Sequence, residues 1–174
     1  MTSRASTGLG ERLAHYRRAN GLSAAQLASR TNGELSRAVI ANIESGRRSD
    51  ITVDQMLALA WALGIPPAAL VLPLDDPLGW VRMPGYEESE VPTIQAIWWF
   101  NGSNAFSDIR GASQASVIAR SRLRTAEELA FSEAFFRRRT SQNAEADVIE
   151  EARIAFEKAR AEAVALGMKV PDAL

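Results

Sequence analysis

The apolar positions of this chain fall into two blocks of helical periodicity separated by an irregular stretch. In the first block Leu9, Leu13 and Tyr16 recur at helical spacing over Leu9 to Asn20, and Gly21 stands where a C-terminal cap belongs. Ser23 is a preferred N-cap for a short second helix through Arg30, with Leu27 and Ala28 inward, and Thr31 to Leu35 contains an Asn-Gly turn signal. The stretch Ser36 to Gly46, SRAVIANIESG, predicts a third helix. It places Val39, Ile40 and Ile43 on one side and Arg37, Ala38, Ala41, Asn42 and Ser45 on the other. Thr52 with Gln55 forms a capping box for a fourth helix, whose Met56, Leu59, Ala60 and Leu63 make an apolar stripe that Gly64 ends. Ile65-Pro66-Pro67 opens a short fifth helix reaching about Val71, and Pro73 closes the unit.

The second block reads differently. Asp75-Asp76-Pro77 has linker composition, Trp80 to Met83 suits a short extended piece, and Glu87 to Glu90 suits an acidic loop. Pro92 opens a helix over Thr93 to Asn101 that carries Ile94, Ile97, Trp98 and Phe100. Three consecutive aromatics, Trp98, Trp99 and Phe100, are too much apolar surface to leave in water, so they pack on the first domain or on a partner subunit, or else line a ligand pocket. From Ala112 to Leu166 there is no Pro or Gly, which predicts two or three helices. Breaks are expected near 124, where Thr125 with Glu128 resembles a capping box, and near 141 at Thr140-Ser141-Gln142-Asn143. In the last helix Ile149, Ala152, Phe156, Ala159, Ala163 and Leu166 alternate at three and four residues, a heptad seam. Such a seam serves either a dimer coil between subunits or packing within one subunit.

The expected organisation is a disordered lead over residues 1–8, a five-helix domain over 9–73, an irregular linker over 74–91 and a helical region over 92–174. The fold class is all-α. No apolar run approaches the roughly 18 residues of a membrane span, and the polar start MTSRASTGLG lacks a signal-peptide core, so the expected location is the cytoplasm. With no Cys and one His, His15, neither a disulfide framework nor a metal cluster is expected, and nothing calls for a cofactor.

Net charge is −1, but the charge is unevenly placed. Residues 1–50 carry eight Arg against four acids, 51–109 one Arg against seven acids, and 110–139 seven Arg against three acids. The second basic segment, with Arg120, Arg122, Arg124, Arg137, Arg138 and Arg139, is either a set of solvated helix faces or a second DNA contact.

The outward face of the third helix carries the chemistry of base reading, because Arg can bind guanine and Asn adenine through two hydrogen bonds in a major groove. Around it stand GERL, RRANGLS, QLA, SRAVIANIESG and LALAWALG, and over Leu9 to Leu72 the chain resembles the Cro/C1-type helix-turn-helix domain of the XRE family of prokaryotic and phage repressors. The resemblance implies a five-helix, lambda-repressor-like domain whose second and third helices form the DNA-binding motif. It implies base reading by Arg37, Ala38 and Asn42, phosphate contacts from Ser23, Gln26, Ser36, Arg47 and Arg48, and an ion pair between Arg17 and Glu44 that braces the first helix against the third. Two departures stand out: Ala24 occupies a position where the family often has a phosphate-binding Gln, and the turn between Ala28 and Ser36 is about two residues longer than the common form. With the Arg-rich composition, the longer turn resembles repressors of actinobacteria and their phages.

The resemblance implies a sequence-specific transcriptional repressor of phage or prophage immunity, binding a double-stranded DNA operator and most economically as a homodimer. An antitoxin or restriction-controller autoregulator is the alternative within regulation, and a protein-interaction module with a vestigial DNA-binding head is the alternative outside it. An enzyme is not expected, since the second half offers no nucleophile-base set or Gly-rich phosphate loop. The helix-favouring residues 112–166 do not match the strand-rich self-cleaving peptidase domain of larger phage repressors. Trp61, at a helix-four position commonly polar in the family, is expected to dock against the aromatic segment around Trp98 and Phe100.

Overall fold

The computed structural model describes residues 7–83, 90–103 and 113–170. The lead expected over residues 1–8 therefore lies, through Ser6, outside the described residues, as do most of the acidic stretch Glu87 to Glu90 and the start of the helical region at Ala112. The described chain is predominantly helical with one two-stranded sheet. Its contacts divide it into two compact units, Met1–Phe100 and Asn101–Leu174.

The first unit begins with five helices: α1 Leu9–Ala19, α2 Ala24–Arg30, α3 Arg37–Glu44, α4 Val53–Leu63 and α5 Ala68–Val71. Local chemistry sets their ends. Ser23 and Gln26 form a reciprocal capping box on α2, and Thr52 and Gln55 form another on α4, so each pair satisfies two backbone donors that the helix cannot. Gly64 stops α4 in the left-handed conformation at φ 68°, where a side chain would be strained. The apolar faces of these helices converge on one core built around Leu13, Leu27, Ile40, Ile43, Leu59 and Leu70, each at most 1% exposed.

The extended piece expected at Trp80 to Met83 is present as a strand, and it pairs with a second strand that was not expected. Strand β1, Trp80–Arg82, pairs antiparallel with β2, Glu90–Pro92, with Val81 opposite Val91, and helix α6, Thr93–Phe100, follows at once. Glu90, expected in a loop, is thus a strand residue. The module of β1, β2 and α6 does not hang free, because Val81, Val91 and Ala96 share a second core with Ala68 of α5 and with Leu72 just past its end, and Ile97 and Phe100 pack against it. Backbone bonds from Thr93 to the Gly79 carbonyl and from Ile94 to the Pro77 carbonyl tie the start of α6 to the turn before β1.

The second unit is a helical hairpin of α7, Gln114–Ser141, and α8, Ala146–Ala165. The break expected near 124 does not occur. Thr125, read as an N-cap, lies inside α7 at 1% exposure, because packing along α8 outweighs a local capping preference. The break near 141 is real: α7 ends at Ser141 and Asn143 takes φ 48°. All six residues of the heptad seam, Ile149, Ala152, Phe156, Ala159, Ala163 and Leu166, are buried or half-buried. They lie along α7 of the same chain, where Phe136 and Phe156 stack with ring centroids 6.1 Å apart. Three of the six, Ala152, Ala159 and Ala163, are buried within the subunit, which favours packing within one chain for this seam. Among the described residues no helix is long and apolar enough to cross a membrane.

Candidate nucleic-acid interface

Helix α3 is anchored from three directions, and each anchor fixes the face it presents. Ile40 and Ile43 sink into the core, which leaves Arg37, Ala38, Ala41, Asn42 and Ser45 exposed on the opposite side. Ser36 starts the helix by accepting a hydrogen bond from the Val39 amide at 3.3 Å. At the other end Arg17 of α1 donates to both carboxylate oxygens of Glu44, Nε at 2.6 Å and a terminal nitrogen at 2.9 Å, while its remaining fork nitrogen donates to the Leu22 carbonyl at 2.6 Å. Both side chains are about 15% exposed. The hydrogen bond to Glu44 pushes Arg17 above the usual arginine range, against the opposing effect of burial.

A third anchor was not legible as a charge or an apolar stripe. Gly10 of α1 lies so close to the end of α3 that a Cβ there would stand 2.2 Å from the Ile43 carbonyl oxygen. A glycine in the first turn of a helix costs about 1 kcal/mol relative to alanine, which is the signal that could have singled it out.

Two further residues support the motif without any expectation attached to them. Arg12 donates to the Leu70 and Val71 carbonyls at 2.9 Å each, so α1 holds the end of α5; burial lowers its pKa, with Asp75 acting in the opposite direction. Thr31, 4% exposed, organises the turn between α2 and α3: its hydroxyl donates to the Ala28 carbonyl at 2.8 Å and accepts from the Leu35 amide at 3.2 Å. That turn contains Asn32 at φ 49° and Gly33 at φ 92°, two successive left-handed residues, which is how the extra length is folded back onto the helix pair.

The phosphate candidates separate into two kinds. Ser23, Gln26, Ser36 and Arg47 are exposed at or near the ends of α2 and α3, although the Ser23, Gln26 and Ser36 side chains also serve as caps. Arg48 is half-buried and engaged within the chain: its Nε donates to the Asp50 carbonyl at 2.8 Å and a terminal nitrogen to Gln55 Oε1 at 3.2 Å. It therefore fixes the loop between α3 and α4. Ala24, where a phosphate-binding amide was missed, is half-buried and packs on the core.

Arginines of the second basic segment are engaged with different partners within the second unit. Arg122 caps the end of α8 through the Leu166 carbonyl, Arg124 and Arg137 pair with Glu128 and Glu133 one turn away, and Arg139 lies over the Phe135 ring. Arg120 lines one groove with Arg124 and Glu127, and Arg138 lies about five turns from Arg120 on the same side of α7. Trp61, expected to dock on Trp98 and Phe100, is 89% exposed and borders a shallow groove with Leu57, Ile65 and Pro67. The position the module takes on α5 explains this, since Phe100 and Ile97 pack toward Ala68 and Leu72 and not toward α4.

Compared with known families, residues 8–72 match the family model described as a helix-turn-helix domain. No curated protein and no solved structure matches the chain. The matched residues are the five-helix part of the first unit, and the likeness to a helix-turn-helix domain supports DNA binding by that part.

Proposed function

We propose that this chain is a sequence-specific transcriptional repressor of the phage or prophage immunity type, acting by occupying an operator and not by catalysis. The observation that carries this reading is the exposed face of α3, with Arg37, Ala38 and Asn42 held outward on a helix whose other side and C-terminal end are locked to the core and to Arg17. A braced helix can present a guanidinium and a carboxamide to base edges at small entropic cost, and those are the groups suited to guanine and adenine. Arg47, exposed just past the end of α3, would meet the phosphate backbone. One such head reads few base pairs, so two heads on half-sites about 34 Å apart, one turn of the duplex, account best for useful affinity.

Selection of bound duplexes from a random pool tests the reading. The expected outcome is a near-palindromic site, on which Arg37→Ala and Asn42→Ala each lose roughly 1 to 3 kcal/mol while nonspecific binding hardly changes. Arg47→Ala should weaken binding to all sequences alike and reduce its salt dependence by about one phosphate contact. A reporter promoter carrying the selected site should fall silent when the protein is expressed. Enrichment of no sequence, or equal loss on all sequences for Arg37→Ala, would refute base reading; activation of the reporter would refute repression.

A further inference from the structure

Among the described residues of the second unit the buried apolar side chains are small, the larger ones at the seam are half-buried, and one phenylalanine is largely exposed. The buried ones are Ala152, Ala159 and Ala163, while Phe131 of α7 is 74% exposed. Phe131 stacks on the half-buried Phe135 with centroids 6.3 Å apart and ring planes within 14°, and the Arg139 guanidinium lies 4.8 Å from the Phe135 centroid. This column is displaced roughly a third of a turn around the helix from Thr125 and Ser132, the residues that face α8. It therefore stands outside the hairpin's own seam.

The charges beside the column identify what covers it. Glu127 and Glu128 lie on its N-terminal side, with Arg124 paired to Glu128 one turn further out, and Arg138 and Arg139 lie on its C-terminal side, so next to the rings the face reads acid, aromatic, base along α7. A parallel copy would oppose like charges, whereas an antiparallel copy opposes every acid to a base. With a two-fold axis at the level of Glu133, Phe131 meets Phe135 of the other copy, Glu128 meets Arg138, and Glu127 meets Arg139. A face that complements itself in this way fits an isologous contact. With Phe131 mostly exposed and Phe135 half-buried, the four Phe rings leave about 400 Å² to be covered, about a quarter of a standard interface, and helices about 42 Å long leave room for the rest.

We propose that the aromatic face of α7 is the dimer surface of this protein and that it binds a second copy of itself antiparallel about Glu133. It gives a location to the pairing of two heads argued above. It can be tested without DNA, so its outcome is separate from whether α3 reads an operator.

Sedimentation equilibrium of the full chain over a range of concentrations should give twice the chain mass of 18.9 kDa. Phe131→Glu should reduce it to the single mass with helicity unchanged, since this side chain is exposed in the subunit. Glu128→Arg alone should also give the single mass, because it sets an arginine against Arg138 of the other copy. The double variant Glu128→Arg/Arg138→Glu should restore the dimer. Residues 128 and 138 are about 15 Å apart along one helix, so rescue can come only from the second copy, whatever Phe131→Glu does to folding. A single mass for the parent at every concentration, a dimer indifferent to Phe131→Glu, or a double variant that stays monomeric would each overturn the proposal.

Discussion

At the scale of single residues, the interface depends on side chains that never reach its surface. Glu44 and Arg17 are the clearest case. Removing the carboxylate leaves a largely buried guanidinium with the Leu22 carbonyl as its remaining hydrogen-bond partner among those described. Glu44→Ala should cost roughly 3 kcal/mol, the lower end for a stranded buried charge, and a thermal melt within a degree of the parent would exclude a supporting role. Residue types with a local signature were legible in the sequence: Ser23, Thr52, Gln55 and Gly64 act on neighbours within a few positions, and the structure uses each as the pattern implies, whereas the capping role of Gln26 was not read. Arg12 and Thr31 were not legible. Their partners are carbonyls, which every residue possesses, so nothing in the side-chain pattern points to them.

At the scale of elements, two competing effects meet at Gly10. Alanine there would gain about 1 kcal/mol in helix propensity but would have to displace the Ile43 carbonyl, and overpacking of this kind costs roughly 1 to 3 kcal/mol or more. A backbone atom of α3 cannot rotate away as a side-chain tip can, so the steric cost should win. Gly10→Ala is expected to lower the melting temperature and to weaken operator binding beyond that loss, because α3 itself must shift. The continuity of α7 has an equally simple check. If Thr125 began a helix, proline there would be tolerated; inside α7 it should cost roughly 3 kcal/mol or more and be visible as lost circular-dichroism signal. Thr125-Ala-Glu-Glu128 misleads because a capping box and a mid-helix threonine differ only in what lies across from them, and α8 is not local. Strand β2 escaped for a similar reason: Glu90-Val91-Pro92 is a strand only because Val81 stands opposite.

At the scale of the whole molecule, the unit that contains the DNA-binding motif is larger than the motif. The family match ends at residue 72, yet Leu72 is fully buried beneath β1, β2 and α6. A fragment ending at Pro73 would uncover Leu72 and Ala68, whereas one ending at Phe100 keeps both cores. The shorter fragment should be less stable by roughly 2 to 3 kcal/mol, about the value of one fully buried leucine, and equal melts for the two would mean that the module contributes nothing. Helix α5 has only four residues, too few to hold its own backbone bonds in isolation. It nevertheless places Leu70 in one core and Ala68 and Leu72 in the other, with Arg12 on its last carbonyls. The amides of the fully buried Leu70 and Leu72, bonded to the Pro67 and Ala68 carbonyls, are freed only when one core or the other opens, so in heavy water they should be among the last of the unit to exchange their protons.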